Sequence, residues 1–151
     1  MKIPTEIQTI QKAKTITDGL IPLQECTFII PVCIESEDRK KNFTIIYDYL
    51  RRNFETNIIV YECSKEPIVS SLIKDDVTYI HQNIPDESFH RTRYLNRMLA
   101  LSNTTVTVNY DADVILPIES YLMAYKKITR QNHDLVYPFA IGKFQKKVDA
   151  S

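Results

Sequence analysis

Apolar residues in this chain fall into short continuous runs that alternate with stretches of helical spacing. A run of four to eight apolar residues between polar breaks is typical of a strand covered on both faces. The pattern predicts strands at residues 26–34, 57–62, 77–81, 105–109 and 134–139. The run at 105–109 is the most β-branched of these, which favours an extended backbone.

Between the strands, apolar residues recur at spacings of three and four, which predicts amphipathic helices. Ser36 or Asp38 is placed to cap one of them. Strands that alternate with helices predict an α/β fold, a Rossmann-like and mostly parallel sheet flanked by helices, with right-handed crossovers. The helices are expected at 5–18, 38–54, 91–101 and 117–128, with a short helix or turn at 67–74.

The length of 151 residues suits about one domain. We expect a leading helix and connector at 1–25, an α/β domain at 26–140 and a polar tail at 141–151. Lys+Arg and Asp+Glu both count 19, so the net charge gives no indication of a nucleic-acid-binding surface. Because no apolar run reaches the length of a membrane span and no signal peptide is evident, we expect a soluble, cytoplasmic chain.

The numbers of cysteines and glycines limit the kinds of functional site that the chain can form. Cys26, Cys33 and Cys63 are odd in number and form no Cys-x-x-Cys pair, so we expect reduced thiols that act mainly as small apolar side chains. The chain has only two glycines, which excludes the glycine-rich loops that bind dinucleotides or phosphates. A nucleotide would need another means of binding, such as a metal ion held by aspartates.

Asp111 and Asp113 follow the 105–109 run directly. Side chains two apart on an extended backbone share a face, so both carboxylates are expected at the carboxyl end of the strand, where open α/β sheets bind ligands. Two like charges at close range need a cation, and Mg²⁺ or Mn²⁺ prefers oxygen ligands. An Asp-x-Asp pair without such a role is also common, since composition alone produces one in roughly a third of chains this long.

Other charged residues are expected at the same edge. Glu62 ends the 57–62 run and is either a ligand neighbour or a helix cap. Arg91 and Arg93 lie at a helix start, where anions bind well and the guanidinium fork matches phosphate. A cation at a helix start is unfavourable without a nearby anion, so a structural role for these arginines requires a neighbouring carboxylate.

Two segments resemble motifs of the β-1,4-galactosyltransferases and related bacterial family 2-like glycosyltransferases of the GT-A fold. In that family Phe-Asn-Arg-x-x-x-Leu-Asn precedes Asp-Val-Asp-x-x-x-Pro. The matching segments here are residues 89–96, FHRTRYLN, and residues 109–117, NYDADVILP. Residues 28–32, FIIPV, are similar to the first strand of the family. The resemblance covers residues 26–139.

The resemblance implies metal-dependent binding of a UDP-sugar and transfer of the sugar, galactose or N-acetylgalactosamine, with inversion. It implies Mn²⁺, or Mg²⁺, held by Asp113, with Asp111 at the metal or the ribose. A saccharide acceptor is implied without being specified. The positions that the resemblance assigns to the nucleotide are Pro31, Val32, Glu62, Phe89, Arg91, Asp111, Ala112 and Asp113.

The chain departs from the family in two respects. Val32 and Cys33 follow Pro31, where the family has an aromatic residue and an arginine. No counterpart is found for the acceptor-binding half, its histidine metal ligand or its general base, so we expect a donor-binding half that is inactive alone. Two other functions stay open: a non-catalytic nucleotide-binding or interaction module, and a haloacid-dehalogenase-like phosphotransferase in which an aspartate is the nucleophile.

Overall fold

A computed structural model describes residues 19–83 and 89–139 of the chain. The predicted helix at 5–18 and the predicted tail at 141–151 lie outside the described residues. The described residues belong to two compact units, residues 19–115 and residues 116–139. The domain boundaries expected from the sequence stay predictions.

The first unit is an α/β structure with a four-stranded sheet. The strand order is β3-β2-β1-β4, and all three neighbouring pairs are parallel. The predicted α/β class, a parallel sheet flanked by helices, is therefore confirmed. The elements are β1 (Ile21–Val32), α1 (Glu37–Asn53), β2 (Phe54–Cys63), a 3₁₀ turn (Val69–Ser71), β3 (Thr78–Gln82), α2 (Arg91–Leu101) and β4 (Val106–Asn109).

β1 begins at Ile21, earlier than the predicted start at residue 26. Ile21 and Leu23 are buried and pair with β2, whereas Pro22 between them is exposed. The pairing register then shifts between Leu23 and Thr27. Such alternation belongs to a strand with one covered face, and a search for continuous apolar runs overlooks it.

Pro31 lies inside β1 although proline has no N–H for the sheet ladder. The Ile29 carbonyl accepts a hydrogen bond from the Tyr110 N–H at 3.1 Å, on the β4 side. Backbone groups two residues apart face the same neighbour, so Pro31 faces this side as well. Pairing with β4 ends at Ile29 and Asn109. The missing donor therefore costs no ladder bond on this side.

α1 begins at one of its two predicted caps, because the Ser36 Oγ accepts a hydrogen bond from the Arg39 N–H at 3.3 Å. Phe54, the last residue of the predicted helix at 38–54, instead starts β2 and is fully buried. The residues that α1 buries follow the helical spacing of three and four and are Phe43, Ile46, Tyr47 and Leu50.

α2 packs against the sheet and fixes where its first residue lies. The rings of Tyr94 and Tyr61 stack with centroids 4.7 Å apart. Each fully buried side chain of this size contributes about 1.5–3 kcal/mol. The helix start, with Arg91, is thereby held at the carboxyl edge of the sheet. The buried cluster between helix and sheet consists of Ile29, Ile59, Tyr61, Cys63, Tyr94, Leu95 and Met98.

β4 is less buried than the sequence predicts. Only Val106 is buried, while Thr107 and Val108 are half-buried and Asn109 is exposed. The prediction of a strand covered on both faces is wrong, because β4 is outermost in the described sheet and pairs there with β1 alone. Its β-branched residues reflect the preference for an extended backbone and not two-sided burial.

The second unit contains α3 (Ile118–Gln131), which starts after Pro117 as predicted. Asn132 ends it in the left-handed conformation, with φ 55°. The strand predicted at 134–139 is wrong, since the described residues there form no strand. An apolar run gives only a local preference for a strand, and a strand also needs a partner. Across residues 19–83 and 89–139, no helix is long and apolar enough to cross a membrane.

Candidate functional site

The carboxyl edge of the sheet contains a point where the strand order reverses. The chain moves outward from β1 through β2 to β3 and then returns to place β4 on the other side of β1. In open α/β sheets the crevice at such a switch point is where ligands bind. Pro31 and Val32 end β1 here, and Asp111 and Asp113 follow β4. The fold therefore brings two of the predicted site segments to one place.

The two aspartates lie in a turn. β4 ends at Asn109, and Ala112 and Asp113 have turn geometry. The expectation that Asp111 and Asp113 share a strand face is therefore wrong, because the backbone is no longer extended when it reaches them. Both are exposed, and Ala112 between them is half-buried. The carboxylates still leave one short segment at the carboxyl end of β4.

Tyr110 anchors this turn at both ends. Its N–H donates to the Ile29 carbonyl of β1 at 3.1 Å, and its hydroxyl donates to the Val114 carbonyl at 2.6 Å. The ring is buried and meets Phe28 edge-on, with centroids 5.4 Å apart. The Tyr110–Val114 hydrogen bond therefore closes the turn that contains the two aspartates, and the buried Tyr110 ring attaches that turn to β1. Sequence reasoning missed this role, for which the only signal was an aromatic residue directly before an exposed acidic pair.

Asp111 is paired with the first residue of α2. The Arg91 Nη2 lies 2.5 Å from the Asp111 Oδ1, and both side chains are about half exposed. His90, the N-cap residue of α2, makes no side-chain capping bond, and the first turn contains no acidic residue. Asp111 is thus the neighbouring carboxylate that a cation at a helix start requires.

Asp113 is the less engaged of the two aspartates. It is exposed, and within the described parts of the chain it has no hydrogen bond or ion pair. Two exposed carboxylates in one turn fit a hard divalent cation that keeps water and phosphate oxygens as its other ligands. No group of three or more His, Cys, Asp or Glu side chains gathers among the described residues, so a cation here would depend on such outside ligands.

An open depression of about 570 Å³ lies at the start of α2, lined by residues 89–93. Phe89 is 41% exposed there and packs edge-on against Tyr94, with ring centroids 5.2 Å apart. An exposed ring beside Arg91 and Arg93 offers an apolar face and positive charge together. Flat aromatic groups and phosphates are the ligand parts that such a surface suits.

Pro31 and Val32 are buried at the end of β1, so their side chains belong to the core. Cys33 is the next residue and is half-buried. Its thiol lies 3.4 Å from a Glu35 carboxylate oxygen, and burial, followed by Glu35, raises the pKa of the thiol to about 11. Cys33 is therefore a thiol at neutral pH and a poor nucleophile.

Glu62 has a different environment from the aspartates. It is fully buried, and it holds the loop after β2 and the start of the 3₁₀ turn. Each carboxylate oxygen accepts two hydrogen bonds, so a nucleotide could reach Glu62 only by displacing a donor. Burial, and then the bond to Glu62, raises the pKa of Tyr79 well above its usual range. The four donors are the Ser64 hydroxyl (2.7 Å), the Ile68 N–H (3.1 Å), the Val69 N–H (3.0 Å) and the Tyr79 hydroxyl (2.5 Å).

No family model matches this chain, and no curated protein or solved structure gives a significant match. The likeness to the GT-A glycosyltransferases therefore stays a resemblance carried by two motifs. Of the residues that it singles out, the structure joins Arg91 to Asp111 and puts Phe89 and Asp113 at the same edge. It keeps Glu62 apart from these exposed residues, because the Glu62 side chain lies in the interior.

Proposed function

We propose that this chain binds a UDP-sugar together with a divalent metal ion, as the donor-binding half of an inverting, metal-dependent hexosyltransferase of the GT-A type. The observation that carries the proposal is the pair of exposed aspartates in a turn at the switch point of the sheet, next to an arginine that starts a helix. The sugar, galactose or N-acetylgalactosamine, follows from the motif resemblance.

Each residue of the proposed site has a distinct role. Asp113, which has no partner in the described residues, is the main metal ligand, and Asp111 is a second ligand or a ribose contact. A bound Mn²⁺ or Mg²⁺ supplies charge neutralisation at the diphosphate. Arg91 places a fixed positive charge beside the departing UDP. Phe89 offers its exposed ring to the nucleotide.

A non-catalytic nucleotide-binding module is the main alternative. Transfer to an acceptor hydroxyl requires a general base. Glu62, the one fully buried carboxylate among the described residues, is saturated by protein donors and cannot serve. Binding without turnover is the outcome expected if no other side chain of the chain supplies the base.

The haloacid-dehalogenase-like alternative has weaker support. That class carries its nucleophilic aspartate at the end of the first strand. Here β1 is followed by Cys33, Ile34 and Glu35, and the aspartate pair follows β4 instead. An aspartyl-phosphate intermediate, trapped after incubation with a phosphoryl donor, would be the sign of this class.

Calorimetric titration of UDP into the full 151-residue chain tests the proposal. We expect binding with Mn²⁺ or Mg²⁺ and no binding with EDTA, because the diphosphate would be held through the metal. Absence of binding with either metal would contradict the site. Incubation with UDP-galactose and with UDP-N-acetylgalactosamine then separates the transferase from the module, since metal-dependent release of UDP from either donor indicates an enzyme and binding of both without release indicates a module.

A further inference from the structure

The Arg91–Asp111 ion pair engages one of the two carboxylates that the proposed function assigns to the metal ion. We propose that this pair is an internal lock on the metal site. Arg91 holds Asp111 until the diphosphate of the nucleotide binds Arg91, and the released Asp111 then joins the metal. The inference rests on the proposed function, in which the metal already holds the diphosphate, and adds a second source of coupling between metal and nucleotide that acts through Arg91 and Asp111.

The first argument is competition for one carboxylate. The guanidinium nitrogen Nη2 of Arg91 lies 2.5 Å from the Asp111 Oδ1. A divalent cation bound at the same carboxylate would lie close to a full positive charge, and like charges at that range repel. Asp113 has no such cation beside it in the described ranges. In the absence of nucleotide, the metal is therefore left with one uncontested aspartate.

The second argument is that α2 needs an anion at its first residue. The first turn has no acidic residue, and His90 provides no capping bond. Arg91, at this positive end of the helix, therefore has Asp111 as its counter-ion. If Asp111 moved to a metal alone, this positive end would lose its anion. A diphosphate can take its place, because it is anionic and matches the arginine fork.

These two exchanges are linked. A diphosphate on Arg91 frees Asp111 for the metal, and a metal on Asp111 frees Arg91 for the diphosphate. The coupling must be equal in both directions, as for any pair of linked binding events. Exposed ion pairs are weak, so the lock is expected to change an affinity by about two- to fivefold and not by orders of magnitude.

The experiment is a titration of the full chain with Mn²⁺ alone, in which free Mn²⁺ is measured by electron paramagnetic resonance. The test variant is Arg91→Gln, which removes the lock. The control variant is Arg93→Gln, which removes the same charge two residues further along; Arg93 is exposed and has no ion pair in the described residues. We expect Arg91→Gln to bind Mn²⁺ about two- to fivefold more tightly than the wild type, and Arg93→Gln to change the affinity less. High salt should reduce the difference.

A second arm repeats the Mn²⁺ titration with saturating UDP. We expect UDP to raise the Mn²⁺ affinity more in the wild type than in Arg91→Gln, because only the wild type has a lock to release. If UDP binding by the wild type requires Mn²⁺ but Arg91→Gln binds Mn²⁺ alone no more tightly, the lock is wrong and the proposed function stands. If the wild type binds no UDP with Mn²⁺, the proposed function fails and the lock with it.

Discussion

The strands β2 and β4 both end near carboxylates, and the two ends have opposite environments. At β2, Glu62 is fully buried and accepts four hydrogen bonds. At β4, Asp111 and Asp113 are exposed, one paired with an arginine and the other without a partner in the described residues. The comparison shows that an acidic residue at the ligand edge of a sheet is available to a ligand only if the loop after it leaves its oxygens unsatisfied.

The loop sequences explain the difference. After β2 the chain folds back, so that two backbone N–H groups and the Ser64 hydroxyl reach Glu62, and Tyr79 of β3 completes the set. A buried carboxylate is tolerated when it is bonded in this way. After β4 the hydroxyl of Tyr110 donates to the Val114 carbonyl and not to a carboxylate. Asp113 therefore keeps its oxygens toward solvent, and Asp111 is engaged only by the exposed side chain of Arg91.

The largest expected effect is on stability, from Glu62→Gln. The amide nitrogen that replaces one carboxylate oxygen would face two donors, and each unsatisfied buried donor costs about 1–3 kcal/mol. We expect the free energy of unfolding to fall by about 3 kcal/mol, measured as a lower urea midpoint with an unchanged slope. The control is Glu55→Gln on the same strand, where the exposed carboxylate accepts a bond from Gln24 at 2.8 Å. It should change stability by less than about 0.5 kcal/mol.

The opposite pattern for Glu62→Gln would break the comparison. If that variant kept its urea midpoint but lost binding of UDP in the presence of Mn²⁺, Glu62 would be a ligand residue and not a loop anchor.

A smaller effect is expected from Tyr110→Phe, which removes the hydroxyl that closes the aspartate turn. We compare it with Tyr47→Phe, which removes a hydroxyl that accepts the Lys74 N–H at 3.0 Å, away from the turn. Each variant should lose about 1 kcal/mol of stability. Only Tyr110→Phe should also weaken Mn²⁺-dependent UDP binding. We expect a loss of about tenfold, the lower end of the range for residues that orient metal ligands without binding the metal themselves. Equal affinities of the two variants would show that the turn does not need this anchor.

The smallest expected effect is on the reactivity of the thiols, which also differ between the interior and the carboxyl edge of the sheet. Cys33 is half-buried, whereas Cys26 and Cys63 are buried. Iodoacetamide should label Cys33 first, and slowly at pH 8, because its pKa is raised to about 11 and the thiolate is the reactive form. The rate should still rise about tenfold per pH unit between 8 and 10. Peptide mapping with Cys33→Ser as control identifies the site, and a rate that levels off near pH 9 would contradict the raised pKa.

The sequence predicts the class of the fold well, because periodicity reports burial directly. α1 follows its predicted cap and buries the predicted face. The wrong strand predictions occur where the same residue pattern can arise either from burial or from a local preference of the backbone. The β-branched run of β4 reflects local backbone preference, so its burial was overestimated. The apolar run at 134–139 had strand composition, but the described residues there form no strand.

The candidate site was predicted less completely, since it depends on which loops supply hydrogen-bond donors. The sequence places Glu62 at a strand end and Arg91 at a helix start, and the structure has both there, whereas Asp111 and Asp113 lie in the turn after β4 and not on its extended face. The saturation of Glu62 depends on the fold of the following loop, which local patterns do not specify. The pairing of Arg91 with Asp111 joins elements 20 residues apart and depends on the packing of α2.

The most direct test of the central claim is UDP binding by Asp113→Ala in the presence of Mn²⁺, measured by calorimetry. The matched control is Asp75→Ala, which removes another exposed carboxylate, one that lies before β3 at the amino edge of the sheet. The account predicts that Asp113→Ala loses at least about tenfold in affinity, with an unchanged urea midpoint, while Asp75→Ala binds like the wild type. If both variants bind UDP as the wild type does, the aspartate turn is not the metal and nucleotide site.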